Sequence, residues 1–328
     1  MKIVVVSLTF FPAVGGLEKI MSGLALEWSK LNEVIVFTNN NDSSKDASLP
    51  YKVIRRFSLI DLYKAVKHAD IFLEANVSLK TSIVGLLSYK KWWVVHHLLY
   101  NTQGIISYAK LFLTCFSKNI AVSNFVANGI WGKCLVINNF VDPIFKLIPT
   151  IEKNKSLLFI GRLVSDKGID LLLHAVSILA ARNINYHLSI VGIGPDALNL
   201  KKEVQRLNIT SQVKFIGLLQ GESLVNILNE NKVLVVPSKW EEPFGLVALE
   251  ALACGCRVVY SNTGGLSEAA GKMSFPFDNQ RIQSLCDAII NAMEQPFSAA
   301  EVEEVDQHLT SFQLSVISKK YEQLFLSN

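Results

Sequence analysis

Two carboxylates eight positions apart mark the stretch from residue 241 to 251. Glu242 precedes a Pro-Phe-Gly turn, and Glu250 lies inside an apolar run that predicts a helix starting near Phe244. The first turn of a helix leaves backbone N–H groups unpaired and carries a partial positive charge, so it can seat a phosphate. Glu242 would lie at the mouth of this helix, and Glu250 about 9 Å further in along its axis. A phosphate seat with two carboxylates suits a nucleotide sugar better than a bare nucleotide.

Each acidic residue also has a simpler explanation to be weighed. Glu241 and Glu242 could complement the positive end of the helix, which is worth about 0.3–1 kcal/mol. Glu250 does not fit that explanation, because a carboxylate inside an apolar helix is costly when it is buried without a partner. Ligand hydroxyls would be a suitable partner, since a carboxylate can accept from two neighbouring hydroxyls.

Two cations follow another predicted strand. Arg162 and Lys167 flank a turn that begins at Gly161 and ends at Gly168. Fixed cations in a water-poor site would stabilise a departing diphosphate, although a surface salt bridge is the alternative. The chain contains no Asp-X-Asp pair. We therefore expect a site that works without metal and without any other cofactor.

Composition bounds the architecture and the partners. A chain of 328 residues, half of them apolar, can form two domains. Residues 1–148 hold 16 Lys and Arg against 9 Asp and Glu. This excess suits an anionic partner such as a diphosphate lipid or a membrane surface, or is ordinary surface charge. The sequence has no basic run with interleaved aromatic residues, so it does not indicate nucleic-acid binding. Five cysteines without metal-ligand spacing favour buried reduced thiols and a cytoplasmic protein, soluble or peripheral.

Short apolar runs alternate with helical patterns along the whole chain, which predicts an α/β fold with parallel sheets. We predict two tandem doubly wound domains, 1–148 and 149–305, and a C-terminal helix in 306–328 that crosses back to the first. The predicted strands are Ile3–Ser7, Glu33–Thr38, Tyr51–Arg55, Ile71–Glu74, Trp92–His96, Asn119–Val122, Leu157–Ile160, His187–Val191, Val213–Ile216, Val233–Val236 and Arg257–Ser261. Ligands of such sheets bind beyond the carboxyl ends of the strands, so a cleft between the domains would collect the glycine-rich turns.

The order and spacing of several motifs resemble the GT-B fold retaining glycosyltransferases of family GT4, over nearly the whole chain. The motifs are Gly15-Gly16-Leu17-Glu18, Ala121-Val122-Ser123, Asn139-Phe140-Val141-Asp142, Gly161 to Gly168, Val191 to Pro195 with Gly194, Phe215-Ile216-Gly217, Pro237-Ser238, Glu242 to Glu250 and Thr263 to Glu268. The family form has a glycine in place of Phe140 more often than an aromatic residue.

The resemblance implies a role for each matching position. Arg162 and Lys167 would stabilise the leaving diphosphate, Glu242 would contact the donor sugar and Glu250 the ribose. The remaining positions implied to bind the nucleotide sugar are Gly15, Gly16, Gly161, Gly194, Leu218 near the base, and the helix start Phe244, Gly245 and Leu246. A histidine at His96 or His97 would lie near the sugar, with His96 favoured slightly; hydrogen bonding to a neighbouring carbonyl is the alternative.

The resemblance implies a hexosyltransferase (EC 2.4.1.-) that uses a UDP- or GDP-sugar and retains the anomeric configuration. Lipid-linked glycans of polysaccharide, O-antigen or lipopolysaccharide biosynthesis are the expected acceptors. The apolar stretch Tyr108–Phe116 and the pair Trp92-Trp93 could seat the first domain on the inner face of the plasma membrane, or could be core. A nucleotide-sugar epimerase on the same scaffold and a non-catalytic nucleotide-sugar binding partner are the alternatives. An oxidoreductase fits less well, because the dinucleotide fingerprint is incomplete.

Overall fold

The computed structural model describes residues 1–13, 15–88, 91–100, 104–295 and 297–327. The chain divides into two compact units, which we call unit 1 (Met1–Asp142 with Phe312–Asn328) and unit 2 (Pro143–Ser311). Each unit has its own parallel sheet with helices in the connections between strands, as the alternation of apolar runs and helical patterns requires.

Unit 1 is built on a seven-stranded sheet with the order β3-β2-β1-β4-β5-β6-β7. In chain order its strands are β1 (Lys2–Val6), β2 (Glu33–Thr38), β3 (Lys52–Arg55), β4 (Ile71–Ala75), β5 (Lys91–His96), β6 (Lys118–Ala121) and β7 (Cys134–Val136). Every pairing between them is parallel. The connecting helices are α1 (Gly16–Trp28), α2 (Leu59–Lys67), α3 (Ser82–Ser88), α4 (Ile105–Thr114) and α5 (Asn124–Ala127).

Unit 2 repeats this plan with six strands in the order β10-β9-β8-β11-β12-β13. Its parallel strands are β8 (Asn154–Ile160), β9 (His187–Val191), β10 (Val213–Gly217), β11 (Asn231–Val236), β12 (Arg257–Ser261) and β13 (Phe275–Phe277). Its helices are α6 (Ile169–Ala181), α7 (Ala197–Arg206), α8 (Glu222–Glu230), α9 (Leu246–Ala253), α10 (Leu266–Ala270), α11 (Ile282–Glu294) and α12 (Ala299–Ser311).

The strand order reverses once in each sheet, between β1 and β4 in unit 1 and between β8 and β11 in unit 2. At such a switch point the connections on either side run in opposite directions, which leaves a crevice beyond the carboxyl ends of the two strands. The prediction of two doubly wound α/β domains is confirmed. The two switch points are where functional residues are to be sought.

The C-terminal segment returns to unit 1 through a last helix, α13 (Leu314–Leu326). The Val141 N–H donates to the Phe312 carbonyl at 2.9 Å. The segment that leaves unit 1 and the segment that re-enters it therefore lie side by side. Rings of α13 then pack on α1, with the Trp28 and Tyr321 centroids 5.5 Å apart and those of Trp28 and Phe325 5.7 Å apart. Burial of these rings holds α13 on unit 1.

The unit boundaries differ from the sequence-based ones. Unit 1 ends at Asp142 rather than 148, because the next residues bind unit 2: the Ile148 N–H donates to Asn229 Oδ1 at 2.8 Å, and Asn229 Nδ2 donates to the Lys146 carbonyl at 3.0 Å. The chain re-enters unit 1 at Phe312 rather than 306. The stretch 306–328, predicted as one C-terminal helix, contains the end of α12 at Ser311 and the whole of α13 from Leu314.

All eleven predicted strands are present, and two short edge strands, β7 and β13, were missed. Cys254, Cys256 and Cys286 are buried thiols as expected, whereas Cys115 is exposed. Within the described residues, no helix has the length and apolar character needed to cross a membrane.

Candidate functional site

The switch point of unit 2 gathers most of the chemically suggestive residues. The turn of Arg162 and Lys167 follows β8, and the segment from Ser238 to Glu242 follows β11, the adjacent strand. Carboxyl ends of neighbouring parallel strands share one edge of the sheet, so these two loops meet. The cleft between the two domains that was expected to collect these turns stays a prediction.

Glu242 is the centre of the cluster. Its Oε1 accepts from Lys167 Nζ at 2.5 Å and from the Ser238 hydroxyl at 2.7 Å. Both members of the ion pair are largely covered, with side-chain exposures of 17% for Lys167 and 13% for Glu242. Low exposure reduces screening and strengthens the attraction between them. The two residues predicted to serve the sugar and the diphosphate therefore bind each other in this structure.

Trp240 adds a further contact to this pair. Lys167 Nζ lies 5.3 Å from the centroid of the Trp240 ring, within the range of a cation–π interaction. The Asp166 carbonyl also accepts from the Lys239 N–H at 2.8 Å, which ties the two loops through their backbones. Trp240 was not identified from the sequence, and Ser238 was noted only as part of the Pro237-Ser238 motif, without a role. Their closeness to Glu242 along the chain, at two and four positions, was the available signal.

Two glycines explain how the loops approach so closely. Gly168 has φ 67° and a Cβ there would overlap the Pro237 carbonyl oxygen. Gly264 has φ 61° and a Cβ there would overlap the backbone of Glu242. Both positions need a residue without a side chain, for conformation and for space. The neighbouring Gly265 N–H donates to the Glu242 carbonyl at 2.7 Å, which fixes the backbone of the carboxylate itself.

Helix α9 begins at Leu246, two residues later than predicted, with Gly245 in the left-handed region at its N-cap. Its first-turn N–H groups follow Glu242 directly in the chain and form the candidate phosphate seat. The Phe244 side chain is buried, so only its backbone can reach a ligand. Glu250 is buried within α9, at 8% exposure.

Arg162 differs from Lys167 in its surroundings. It is exposed, and its guanidinium makes no hydrogen bond or ion pair with any described residue. Gly161 and Gly194 lie beside it in two loops joined by backbone hydrogen bonds, with the Leu163 N–H donating to the Ile193 carbonyl at 2.9 Å. Leu218, predicted to lie near a base, is exposed just beyond β10.

In unit 1, Gly15 and Gly16 lie at the N-terminus of α1, after β1, as predicted. Gly15 is the N-cap residue, and the side chain of Glu18 lies against it. This position beside the switch point of unit 1 agrees with a ligand-binding loop.

The side chain of His96, in contrast to the glycine loop, is fully buried in the sheet. Its Nδ1 lies 2.9 Å from the Tyr100 hydroxyl and its Nε2 lies 3.0 Å from Asn119 Oδ1. Both ring nitrogens are therefore engaged, and burial lowers the pKa of His96 to about 4. This geometry argues against the assignment of His96 to a substrate contact.

His97 is the stronger candidate of the two. Its side chain is also buried, at 8% exposure, but its Nε2, which is itself covered, has no hydrogen-bond partner in the described part of the chain. Its backbone N–H donates to Asn76 Oδ1 at 2.8 Å, which fixes the start of the loop after β5. Burial lowers the pKa of His97 to about 3, so the ring is neutral at physiological pH.

The described residues include no group of three or more His, Cys, Asp or Glu side chains arranged to hold a metal ion. Positive charge at the switch point of unit 2 is supplied by Arg162 and Lys167. Such fixed cations can stabilise negative charge that develops on an oxygen.

We compared the sequence and the fold with those of known proteins. The sequence model of the family described as glycosyl transferases group 1 matches residues 142–307, just over half of the chain. An uncharacterized glycosyltransferase of Methanocaldococcus jannaschii, MJ1607, is 39% identical over 117 residues, which are 36% of this chain and 30% of that protein. The glycogen synthase of Mycobacterium tuberculosis is 31% identical over 175 residues, 52% of this chain and 42% of the synthase. The chain thus spans less than half the length of these curated relatives.

A solved structure shares the whole fold. HepE from Anabaena, in complex with UDP, has a TM-score of 0.85 and 19% identity, with both chains covered completely. At this level of identity the likeness concerns the architecture and not the substrate.

Proposed function

The chain belongs to the group 1 glycosyl transferases, and from this premise we propose that it transfers a hexose from a nucleotide diphosphate sugar to a hydroxyl acceptor. One observation supports the proposal most: Lys167, Glu242 and Ser238 form a cluster at the switch point of unit 2, directly before helix α9. Cation, carboxylate and helix start are together the groups that a sugar diphosphate requires.

In the proposed reaction each part of the donor has its own partner. Arg162, Lys167 and the first turn of α9 hold the diphosphate, Glu242 accepts from hydroxyls of the sugar and Glu250 accepts from the ribose. Gly161 and Gly194 let the backbone approach the donor, and Leu218 contacts the base. UDP is the first nucleotide to test, because it is bound by the structural neighbour from Anabaena.

The chemistry that we propose needs no side-chain nucleophile and no metal. The bond between the anomeric carbon and the diphosphate oxygen breaks, and the acceptor oxygen bonds to the same face of that carbon, which retains its configuration. The acceptor proton moves to the departing phosphate. Arg162 and Lys167 stabilise the charge that grows on this leaving group, which is the interaction that strengthens most in the transition state.

Unit 1 is proposed to bind the acceptor, with His97 rather than His96 directed to it. A neutral imidazole with a free nitrogen can accept a hydrogen bond from, or donate one to, a hydroxyl group. Gly15 and Gly16 would allow the α1 start to approach the same ligand.

The acceptor that we propose is a lipid-linked glycan, as in O-antigen or other polysaccharide synthesis, reached from the cytoplasmic face of a membrane. Support comes from α4 and the residue two positions beyond its end: Ile105, Tyr108, Phe112 and Phe116 repeat at helical spacing and are 88%, 48%, 56% and 58% exposed. Trp131 extends this surface, 6.1 Å from the Tyr108 ring. Scattered exposed apolar residues are ordinary, but a continuous aromatic face is typical of an interaction surface.

The charge of the chain segment that contains this face favours an anionic membrane. Residues 75–141 contain six lysines and no Asp or Glu. Amphipathic surfaces that combine aromatics with lysines bind the interface of anionic lipids. Trp92 and Trp93 are no part of it, because both are buried in β5, so the core explanation applies to them.

A donor screen tests the proposed function. The purified protein is heated with UDP-, GDP- and ADP-sugars, and each hit is assayed for nucleotide release with and without hydroxyl acceptors. We expect one nucleotide class to raise the melting temperature and to be released only when an acceptor is present. Interconversion of the donor without an acceptor would indicate an epimerase, binding without release a partner subunit, and no shift with any nucleotide sugar would overturn the proposal.

Membrane contact has its own test. Co-sedimentation with phosphatidylglycerol vesicles should fall for Phe112→Asp, while phosphatidylcholine vesicles should bind neither variant nor wild type. Leu198→Asp is the matched control, because Leu198 is 72% exposed on α7 of unit 2. Equal binding of all three proteins to anionic vesicles would contradict the proposal.

A further inference from the structure

Ser238 is a buried serine whose hydroxyl has a specific task in the cluster. It lies two residues beyond β11 and is 1% exposed. Its hydroxyl donates to Glu242 Oε1 at 2.7 Å. A hydrogen bond to an ionised carboxylate is among the stronger ones in proteins.

The two donors of Glu242 use one of its oxygens. Lys167 Nζ and the Ser238 hydroxyl both bind Oε1, while Oε2 accepts from no described residue. A carboxylate fixed through one oxygen presents the other in a defined direction. Oε2 is thus the oxygen available to a ligand hydroxyl.

The two donors are not equivalent once a diphosphate is bound. Lys167 is a flexible cation, which can turn from Glu242 to a phosphate oxygen. Ser238 comes directly after Pro237, whose carbonyl oxygen packs against Gly168. Its backbone is therefore fixed, and its hydroxyl cannot move with Lys167 towards a phosphate. Only the Ser238 bond would then hold Glu242 in the direction seen here.

We propose that Ser238 is the positioning residue that keeps Glu242 aimed at the donor sugar when Lys167 engages the diphosphate. This inference rests on the proposed function. It assigns to Ser238 no contact with the substrate and no part in bond breaking; its effect passes through Glu242. The bond should therefore matter for the sugar part of the donor and not for its nucleotide part.

A matched control is present on the adjacent strand. Ser261 ends β12 and is fully buried like Ser238, but its hydroxyl has no hydrogen-bond partner in the described residues. Ser261→Ala removes the same atom from an equivalent place at the sheet edge. It leaves Glu242 untouched.

Steady-state transfer and nucleotide binding are measured for wild type, Ser238→Ala, Ser238→Thr and Ser261→Ala. Ser238→Ala should lose about 10- to 100-fold in kcat/KM for the nucleotide sugar, as expected for a bond to a charged group. Its affinity for the free nucleoside diphosphate should stay within about twofold of wild type. Ser238→Thr should recover most of the loss, and Ser261→Ala should behave as wild type.

A double-mutant cycle separates positioning from a purely structural role. In a Glu242→Ala background, Ser238→Ala should have no further effect on transfer. Equal losses of nucleotide sugar and free nucleotide, full activity of Ser238→Ala, or additive losses in the cycle would each overturn the inference. If wild type itself releases no nucleotide with any donor, the proposed function has failed first; if only the variants depart from expectation, the inference alone has failed.

Discussion

The two sheets carry different groups at the carboxyl ends of their strands. We call the strand ends of unit 2 the charged edge, and the ends of β4 and β5 in unit 1 the neutral edge. In unit 2, the edge carries ions: the pair of Lys167 with Glu242, and an exposed Arg162. In unit 1, the ends of β4 and β5 carry two groups whose charged forms are disfavoured by burial. Burial lowers the pKa of His97 to about 3 and raises the pKa of Glu74, in β4, to about 7.

This difference matches what each edge would have to bind. A diphosphate is recognised by cations and N–H groups. The cations stay charged only if they have partial access to water or a counter-ion. A hydroxyl acceptor is recognised by neutral donors and acceptors. The contrast between a charged edge and a neutral edge is therefore what the proposed division between donor and acceptor binding would require.

Removal of the cations should have the largest effect. Arg162→Ala and Lys167→Ala should each reduce kcat by about 10²–10³-fold, because each removes charge stabilisation of the leaving group. Circular dichroism should show a folded chain in both cases. Lys214→Ala, an exposed lysine on β10, is the control and should transfer normally. Near-normal turnover of both Arg162→Ala and Lys167→Ala would remove the charged edge from the mechanism.

The neutral edge can be examined through Glu74, which is fully buried in β4. Its carboxyl accepts from the Ser82 hydroxyl and from Trp92 Nε1, both at 2.8 Å, but burial outweighs these bonds and raises the pKa from 4.5 to about 7. Between these values the folded chain holds a proton that the unfolded chain releases, so the contribution of Glu74 to stability is lost as pH rises.

Glu74→Gln removes this dependence. Relative to wild type, the free energy of unfolding of Glu74→Gln should rise between pH 5 and pH 8 by about 3 kcal/mol, at roughly 1.4 kcal/mol per pKa unit. Urea unfolding followed by tryptophan fluorescence measures it, since unit 1 contains four of the five tryptophans. Glu304→Gln, exposed on α12, should differ from wild type by a constant amount. A constant difference for Glu74→Gln as well would contradict the neutral-edge description.

The smallest expected effect concerns competition at the charged edge. Glu242→Gln removes the anion that occupies Lys167, so its affinity for free UDP should increase about three- to tenfold while transfer falls, a change of about 1 kcal/mol. Glu241→Gln, which removes the same charge from the exposed neighbour, should change neither. Isothermal titration measures both affinities. Unchanged or weaker UDP binding by Glu242→Gln would show that the ion pair does not compete with the diphosphate.

Much of the fold follows from local pattern. Buried parallel strands such as β2 and β12 are apolar between their end residues, and their bounds were predicted without error. β7 and β13 were missed because each has three residues at a sheet edge, and β13 has Pro276 at its centre, a residue that discourages a strand assignment.

The sequence predicts the parts of the candidate site that depend on spacing along the chain. Glu242, Lys167 and Arg162 belong to loops whose positions follow from strand ends and glycines. The ion pair of Lys167 with Glu242 joins residues 75 positions apart and could not be predicted. The hydrogen bond at His96 Nε2 is made with Asn119, which β6 brings beside β5, and no property of the His-His pair itself indicates which ring has both nitrogens engaged.

The central claim is that the charged edge of unit 2 seats the diphosphate of the donor. A crystal structure of the protein with bound UDP tests it most directly. The account predicts phosphate oxygens within ion-pair distance of Arg162 and Lys167, at the first turn of α9, with Ser238 still bound to Glu242. A diphosphate bound elsewhere, with Lys167 still paired to Glu242 and Arg162 unengaged, would contradict it.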